Sequence, residues 1–192
     1  MRDQTDTKQR LMDAALRLFT EKGFAGASTR EIVEQSGVTK PTLYYYFPSK
    51  EELYRALIEE NFERFNREIA AIAGEKKPPR EKLIRVAEYN LKHCRNHPEQ
   101  VKLTLMAFYR GDTFAPEVDV EEYGRASLEI VARIFREGVD AGIFRPLDPM
   151  KLSLHLMGVL HGQMLVILKG TKRIPLTRPE EIIETLIRGI GA

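Results

Sequence analysis

Apolar residues recur every three or four positions along nearly the whole 192-residue chain, and strand-like alternation is almost absent. That spacing predicts an all-α fold, and local capping signals divide it into about nine helices. The first opens near Asp6, with Gln9 three residues on, carries Leu11, Ala15, Leu18 and Phe19 on one face, and stops at Gly23. A second starts at Ser28 or Thr29, with Ser28 and Glu31 as a capping box, and ends at Gly37. Ser36, Gly37 and Val38 separate it from a third short helix, Thr39 to about Phe47, with Pro41 in its first turn. Ser49 and Glu52 begin a long helix to about Gly74, and Lys76-Lys77-Pro78-Pro79 punctuates the chain. Further helices are predicted at roughly 80–95, 98–109, 119–141, 149–169 and 178–188, the last opened by a Thr177/Glu180 box.

With 43% hydrophobic and 30% charged residues the chain can bury an ordinary core, which excludes disordered and disulfide-scaffold classes. Its single cysteine, Cys94, and an N-terminus without an apolar stretch predict a cytoplasmic protein. No membrane partner is expected, because the most apolar segment, Leu152 to Leu168, is interrupted by Ser153, His155, Gly158, His161, Gly162 and Gln163. Net charge is only +2, and the whole surplus lies in residues 1–50, which hold eight Lys and Arg against six Asp and Glu.

Two short helices joined by a glycine-containing turn outline a helix-turn-helix. Its second helix carries Tyr44, Tyr45, Tyr46 and Phe47 in a row, four of the chain's 16 aromatic residues. At 100° per residue they spread over about 300°, so one core cannot hide them all. With Leu43 facing inward, Phe47 and Tyr46 lie within about 60° of it, while Tyr45 points about 200° away, beside Pro41, Thr42 and Tyr44. Proline, threonine and tyrosine make a poor solvated face and a good groove face, since hydroxyls donate to phosphates and apolar edges meet thymine methyls. Lys40 and Lys50 can each neutralise a phosphate, and Thr29 and Arg30 start a helix whose N–H groups can meet another.

The run Thr29-Arg30-Glu31-Ile32, then Ser36-Gly37-Val38-Thr39-Lys40-Pro41-Thr42-Leu43-Tyr44-Tyr45-Tyr46-Phe47-Pro48-Ser49-Lys50, closely resembles the DNA-binding domain of the tetracycline-repressor (TetR) family of bacterial regulators. The resemblance covers about residues 6–56. It implies a third helix that reads the major groove, Tyr44 and Lys50 on phosphates, and Thr39, Lys40, Pro41, Thr42 and Tyr45 facing bases or backbone. Tyr46 stands where some members have His. The expected organisation is a three-helix DNA-binding domain, residues 1–50, continued by a linking helix, 50–74. A larger helical effector-binding and dimerisation domain, 51–192, follows.

A single module of this size contacts too little DNA for tight binding, so two copies on a palindromic operator are expected. On the helix 149–169, Leu154, Gly158, His161, Gly162 and Leu165 fall on one stripe, and glycines four apart let another helix approach closely. With Ile183, Leu186 and Ile187 of the last helix they form the expected homodimer interface. By resemblance in architecture, the middle helices enclose a small-molecule effector, largely apolar, beside Tyr89, Asn90, His93, Met106, Tyr109 and Tyr123. Repression released by that effector is the expected activity. The competing reading is an all-helical protein whose helix-turn-helix makes protein contacts, with or without a catalytic cavity. No catalytic set, cofactor or metal site is expected: His93, Cys94 and His97 lack a fourth ligand nearby, and no nucleophile elbow, P-loop or dinucleotide fingerprint is present.

Overall fold

The computed structural model describes residues 2–109, 111 and 113–190. In chain order the helices are α1 (Arg2–Gly26), α2 (Thr29–Ser36), α3 (Lys40–Tyr46), α4 (Lys50–Ala73), α5 (Pro79–Asn96), α6 (Pro98–Phe108), α7 (Val120–Asp140), α8 (Pro149–Lys169) and α9 (Pro179–Ile190), with no strand among the described residues. Local chemistry sets most of these ends. Ser28 and Glu31 close the expected capping box on α2, and Gly37 ends it at φ 66°, a left-handed conformation that suits glycine. Gly23 breaks α1 differently, at φ 73° and ψ 172°, a region essentially open to glycine alone.

Two ends differ from expectation. The first helix opens at Arg2, before Asp6, so Asp6 and Gln9 lie inside it and bond one turn on, to Arg10 and Asp13. At α9 the reciprocal tie sits one residue later than Thr177/Glu180. Glu181 accepts from the Arg178 N–H and guanidinium, while the Thr177 N–H goes to the Gln163 side chain at 3.0 Å.

The chain forms two compact units. The first runs past residue 50 to Phe62 and takes in Glu99–Glu121. Its core joins Leu11, Leu18 and Phe19 of α1, Ile32, Leu43, Phe47, Leu53 and Tyr54 with Leu103 and Val120. Polar ties fix that late segment here: Lys102 donates to the Thr20 carbonyl at 3.1 Å and Asn61 to the Thr104 hydroxyl at 2.9 Å. At its centre Phe19, Phe24 and Tyr54 pack ring against ring, with centroids 5.3 to 5.6 Å apart.

The second unit comprises Glu63–Pro98 and the chain from Glu122 on. Here α5 packs against α8 and α9 around Ile69, Leu83, Leu91, Phe135, Phe144, Leu156 and Ile183. Gly138 on α7 is required sterically, because a Cβ there would run into the Phe144 ring. By length and composition alone α8 could cross a bilayer. One face of it, Leu152, Ser153, Leu156 and Leu160, is instead buried in this unit.

Candidate nucleic-acid interface

Helix α3 is only seven residues long and owes its position to two buried anchors, Leu43 and Phe47. Thr39 caps it: its hydroxyl accepts the Thr42 N–H and bonds the Thr42 hydroxyl at 2.8 Å. The two threonines therefore stand as a linked pair at the start of the helix. With Leu43 pinned inward, the 100° spacing throws Lys40, Pro41, Tyr44 and Tyr45 outward, and all four are exposed. Tyr45 is 75% exposed.

The neighbouring rings hold this face in place. Tyr46 is half-buried against the core of the first unit and meets Tyr45 edge-on, with centroids 5.1 Å apart. Tyr46 thus lies under the exposed face as a support for Tyr45. The Lys40 ammonium lies 5.9 Å from the Tyr44 ring centre, within reach of a cation–π attraction.

At the start of α2, Thr29 is half-buried and Arg30 exposed. Arg30 pairs with Glu34 one turn on at 2.9 Å, a solvated pair that a phosphate can displace at little cost. Glu31 is committed to structure. Lys22 and both the hydroxyl and N–H of Ser28 bond its carboxylate and hold its pKa down to about 2. The Lys50 ammonium turns back onto the first unit, bonding the Phe24 and Ala27 carbonyls. Sequence spacing could not reveal this, since the partners lie 23 and 26 residues away.

Residues 11–57 match the family described as bacterial regulatory proteins, tetR family, and residues 79–165 match a tetracyclin repressor-like C-terminal domain. The HTH-type transcriptional regulator RutR of Escherichia coli is 31% identical over 150 residues, 76% of this chain and 68% of RutR. The chain belongs to the TetR family. It is a DNA-binding transcriptional regulator. Two solved structures share the fold along nearly the whole chain. FadR from Bacillus subtilis, in complex with stearoyl-CoA, has a TM-score of 0.75 at 22% identity, covering 95% of this chain and 98% of its own. AibR, in complex with isovaleryl coenzyme A and operator DNA, has a TM-score of 0.69 at 20% identity, covering 96% and 98%.

Of the six residues expected around an effector, Tyr89, Asn90, His93 and Tyr123 belong to the second unit, and Met106 and Tyr109 to the first. On α5, Tyr89 stacks on His93, Phe65 leans on both, and His93 lies 5.0 Å from His97. Burial, then His97 and Arg64, push the His93 pKa down to about 4, so its imidazole is neutral at pH 7. Asn90 is 3% exposed, and its side-chain oxygen finds no hydrogen-bond partner among the described residues. Cys94 turns its thiol toward the Met164 carbonyl of α8, and burial raises its pKa to about 11, which keeps it protonated and unreactive. Tyr123 is half-buried, its carbonyl taken by Asn66 and Ser127. Met106 lines a cavity of about 720 Å³ with Tyr54 and Phe108, while Tyr109 is exposed.

On α8, Leu154, Gly158, Gly162 and Leu165 are exposed as a stripe, with His161 half-buried beside them. Ile183 does not join it. That side chain is fully buried in the core of the second unit, and Leu186 and Ile187 are half-buried against the same core. An apolar period of three to four cannot say which of two flanking surfaces a residue fills, and the core of the second unit claims Ile183.

Proposed function

We propose that this regulator is a cytoplasmic homodimer that represses by binding a palindromic operator through α3 and releases it when a small molecule enters the second unit. The exposed Lys40-Pro41-Thr42-Tyr44-Tyr45 face carries the DNA part of this reading. Thr29, Arg30 and Thr39 extend it to the flanking backbone. Residues 1–50 with the linking helix serve as the head, and the rest of the chain serves dimerisation and sensing.

The α8 stripe supports the dimer. Glycine inside a helix costs roughly 0.5–1 kcal/mol relative to alanine. A Cβ added at Gly158 or Gly162 meets nothing within 4 Å in the single chain, so no internal contact requires either glycine. Close approach of a second α8 does. Leu154, 57% exposed, and Leu165 flank the pair and would be buried by it.

The unmet Asn90 oxygen and the Phe65–Tyr89–His93 ring row support an effector that is largely apolar and carries a hydrogen-bond donor. The acyl-coenzyme A ligands of FadR and AibR make acyl thioesters the first class to try. Binding-site selection with the purified chain should return a palindrome, with half-sites about 34–36 Å or a multiple apart. Adding isovaleryl-CoA or stearoyl-CoA to the labelled duplex complex tests release. A selection that returns no enriched duplex, or a scattering mass of 22 kDa at micromolar concentration, would overturn the DNA and dimer readings respectively.

A further inference from the structure

Helix α7 buries Val131, Ile134 and Phe135 on one side and exposes Glu122, Arg125, Glu129, Arg133 and Arg136 on the other. Its charges are unevenly matched. Arg125 is paired with Glu122 at 2.8 Å and with Glu129 at 2.7 Å. Arg133 has a carboxylate one helical turn away in each direction, the spacing at which side chains meet, yet both are engaged elsewhere. Glu129 goes to Arg125, and Glu137 goes to the buried Lys82 ammonium of α5 at 2.7 Å. Lys82 is held in turn by the Ala73 carbonyl at 2.9 Å. Among the described residues no carboxylate bonds Arg133 or Arg136.

These two guanidiniums line a groove of about 580 Å³ together with Ile130 and Ala132 of α7 and Met150 in the first turn of α8. Asp148, two residues before Met150, is occupied with the Met150 and Lys151 N–H groups. A solvated charge run pairs within itself, as Glu122, Arg125 and Glu129 do. Unmatched guanidiniums beside methyl and thioether groups make a different surface: fork-shaped donors for an oxyanion, next to an apolar patch for a flat ring. A carboxylate has two oxygens and one charge, enough for one fork, whereas a phosphate brings three oxygens and nearly two charges. The volume lies in the range of small-molecule sites, roughly 300–1,000 Å³.

We propose that this groove binds a nucleoside phosphate, with the phosphate on Arg133 and Arg136 and the base against Ile130 and Met150. A free nucleotide and the adenosine phosphate end of a coenzyme A thioester share that chemistry. None of the lining residues belongs to the Asn90 and Tyr89–His93 neighbourhood, so the site is additional to the effector site proposed there.

Isothermal titration calorimetry of the full chain with AMP, adenosine, inorganic phosphate and coenzyme A tests this. AMP should bind about tenfold or more tightly than adenosine or phosphate, since each of those lacks one half of the contact. Arg133→Gln and Arg136→Gln should each weaken AMP about tenfold. Lys92→Gln, which removes an exposed cation of α5 outside the groove, should leave AMP binding unchanged. Both arginines are exposed, so circular dichroism should be the same in every variant. Coenzyme A bound about tenfold tighter than AMP, and weakened by the same two substitutions, assigns the site to the thioester's adenosine end; otherwise the ligand is a free nucleotide. AMP that binds no better than adenosine or phosphate, that gives no heat at about 1 mM, or that keeps its affinity in Arg133→Gln would overturn the proposal. So would a fall in sedimenting mass on Arg133→Gln without AMP binding, which gives the face to a second copy of the chain. No step involves DNA, and the outcome stands apart from the reading of α3.

Discussion

The helices α3 and α8 both leave large side chains in water, and they do so with different chemistry. On α3 the exposed groups are phenols, hydroxyls and an ammonium, held up by a buried Leu43 and a half-buried Tyr46. On α8 they are hydrocarbon: Leu154, Val159 and Leu165, around two glycines that no internal contact requires. A partner that is charged and hydrated suits the first face. A dry, closely approaching helix suits the second, and a second copy of α8 offers the same small residues at the same height. Exposure alone therefore does not separate the two surfaces; the polar tips of the side chains and the glycine pair do.

The largest expected effect comes from breaking the hydrocarbon face. Gly158→Arg places a charged side chain where a facing helix must come close, while the single chain has open space for it. Light scattering should report the monomer mass, circular dichroism should be unchanged, and operator affinity should fall by about 100-fold or more as two linked half-site contacts become separate ones. A dimer that survives Gly158→Arg would remove α8 from the interface. On the other face, Tyr45→Ala should weaken the operator complex about tenfold, the loss of one stacked or groove-lying ring, without changing the mass. Tyr46→Phe should behave as wild type and Tyr46→Ala should resemble Tyr45→Ala, if Tyr46 acts by supporting its neighbour. Anisotropy titration reads all three.

How far these faces could be read before the fold was known depended on how local their causes are. The α2–turn–α3 unit was legible because Ser28 with Glu31, Gly37, and Thr39 with Pro41 act within a few residues of one another. The angular argument from Leu43 placed the tyrosines correctly for the same reason. Ile183 was misread because α9 is strongly amphipathic, and periodicity shows that a face is buried without showing against what. Thr177/Glu180 lost to Arg178/Glu181, where a guanidinium adds two further bonds to the cap. Lys50 and the membership of Glu99–Glu121 in the first unit were invisible, since both rest on contacts such as Lys102 to Thr20 across 82 residues.

Acidity should separate the two faces further. His161 lies beside the α8 stripe, and burial already lowers its pKa below the ordinary value of 6.5. Its neutral form is the one the folded chain prefers, and a second α8 laid over it removes still more water. Proton uptake then opposes association, so the dimer is most stable where His161 is neutral and weakens as the pH falls through its lowered pKa. Sedimentation at successively lower pH should show dissociation strengthening, and His161→Gln should flatten that dependence. The described α3 face holds no histidine, so half-site contacts should not change over the same range. A pH response of equal size in His161→Gln would assign it to another group.

The smallest effect is the most specific to α3. Lys40 is exposed beside Tyr44, and among the described residues no backbone carbonyl holds it as Phe24 and Ala27 hold Lys50. If it meets a phosphate, Lys40→Met should reduce the slope of log affinity against log salt by about 0.9 per half-site, a change of less than twofold in affinity between 0.1 and 0.2 M salt. If it reads a base edge, the slope changes less and the preferred duplex changes instead, which a repeated selection with the variant detects. An unchanged slope together with an unchanged preference would take Lys40 off the DNA. The contact face would then narrow to the threonine pair and the two outward tyrosines, whose hydroxyls and ring edges carry no charge to register in salt.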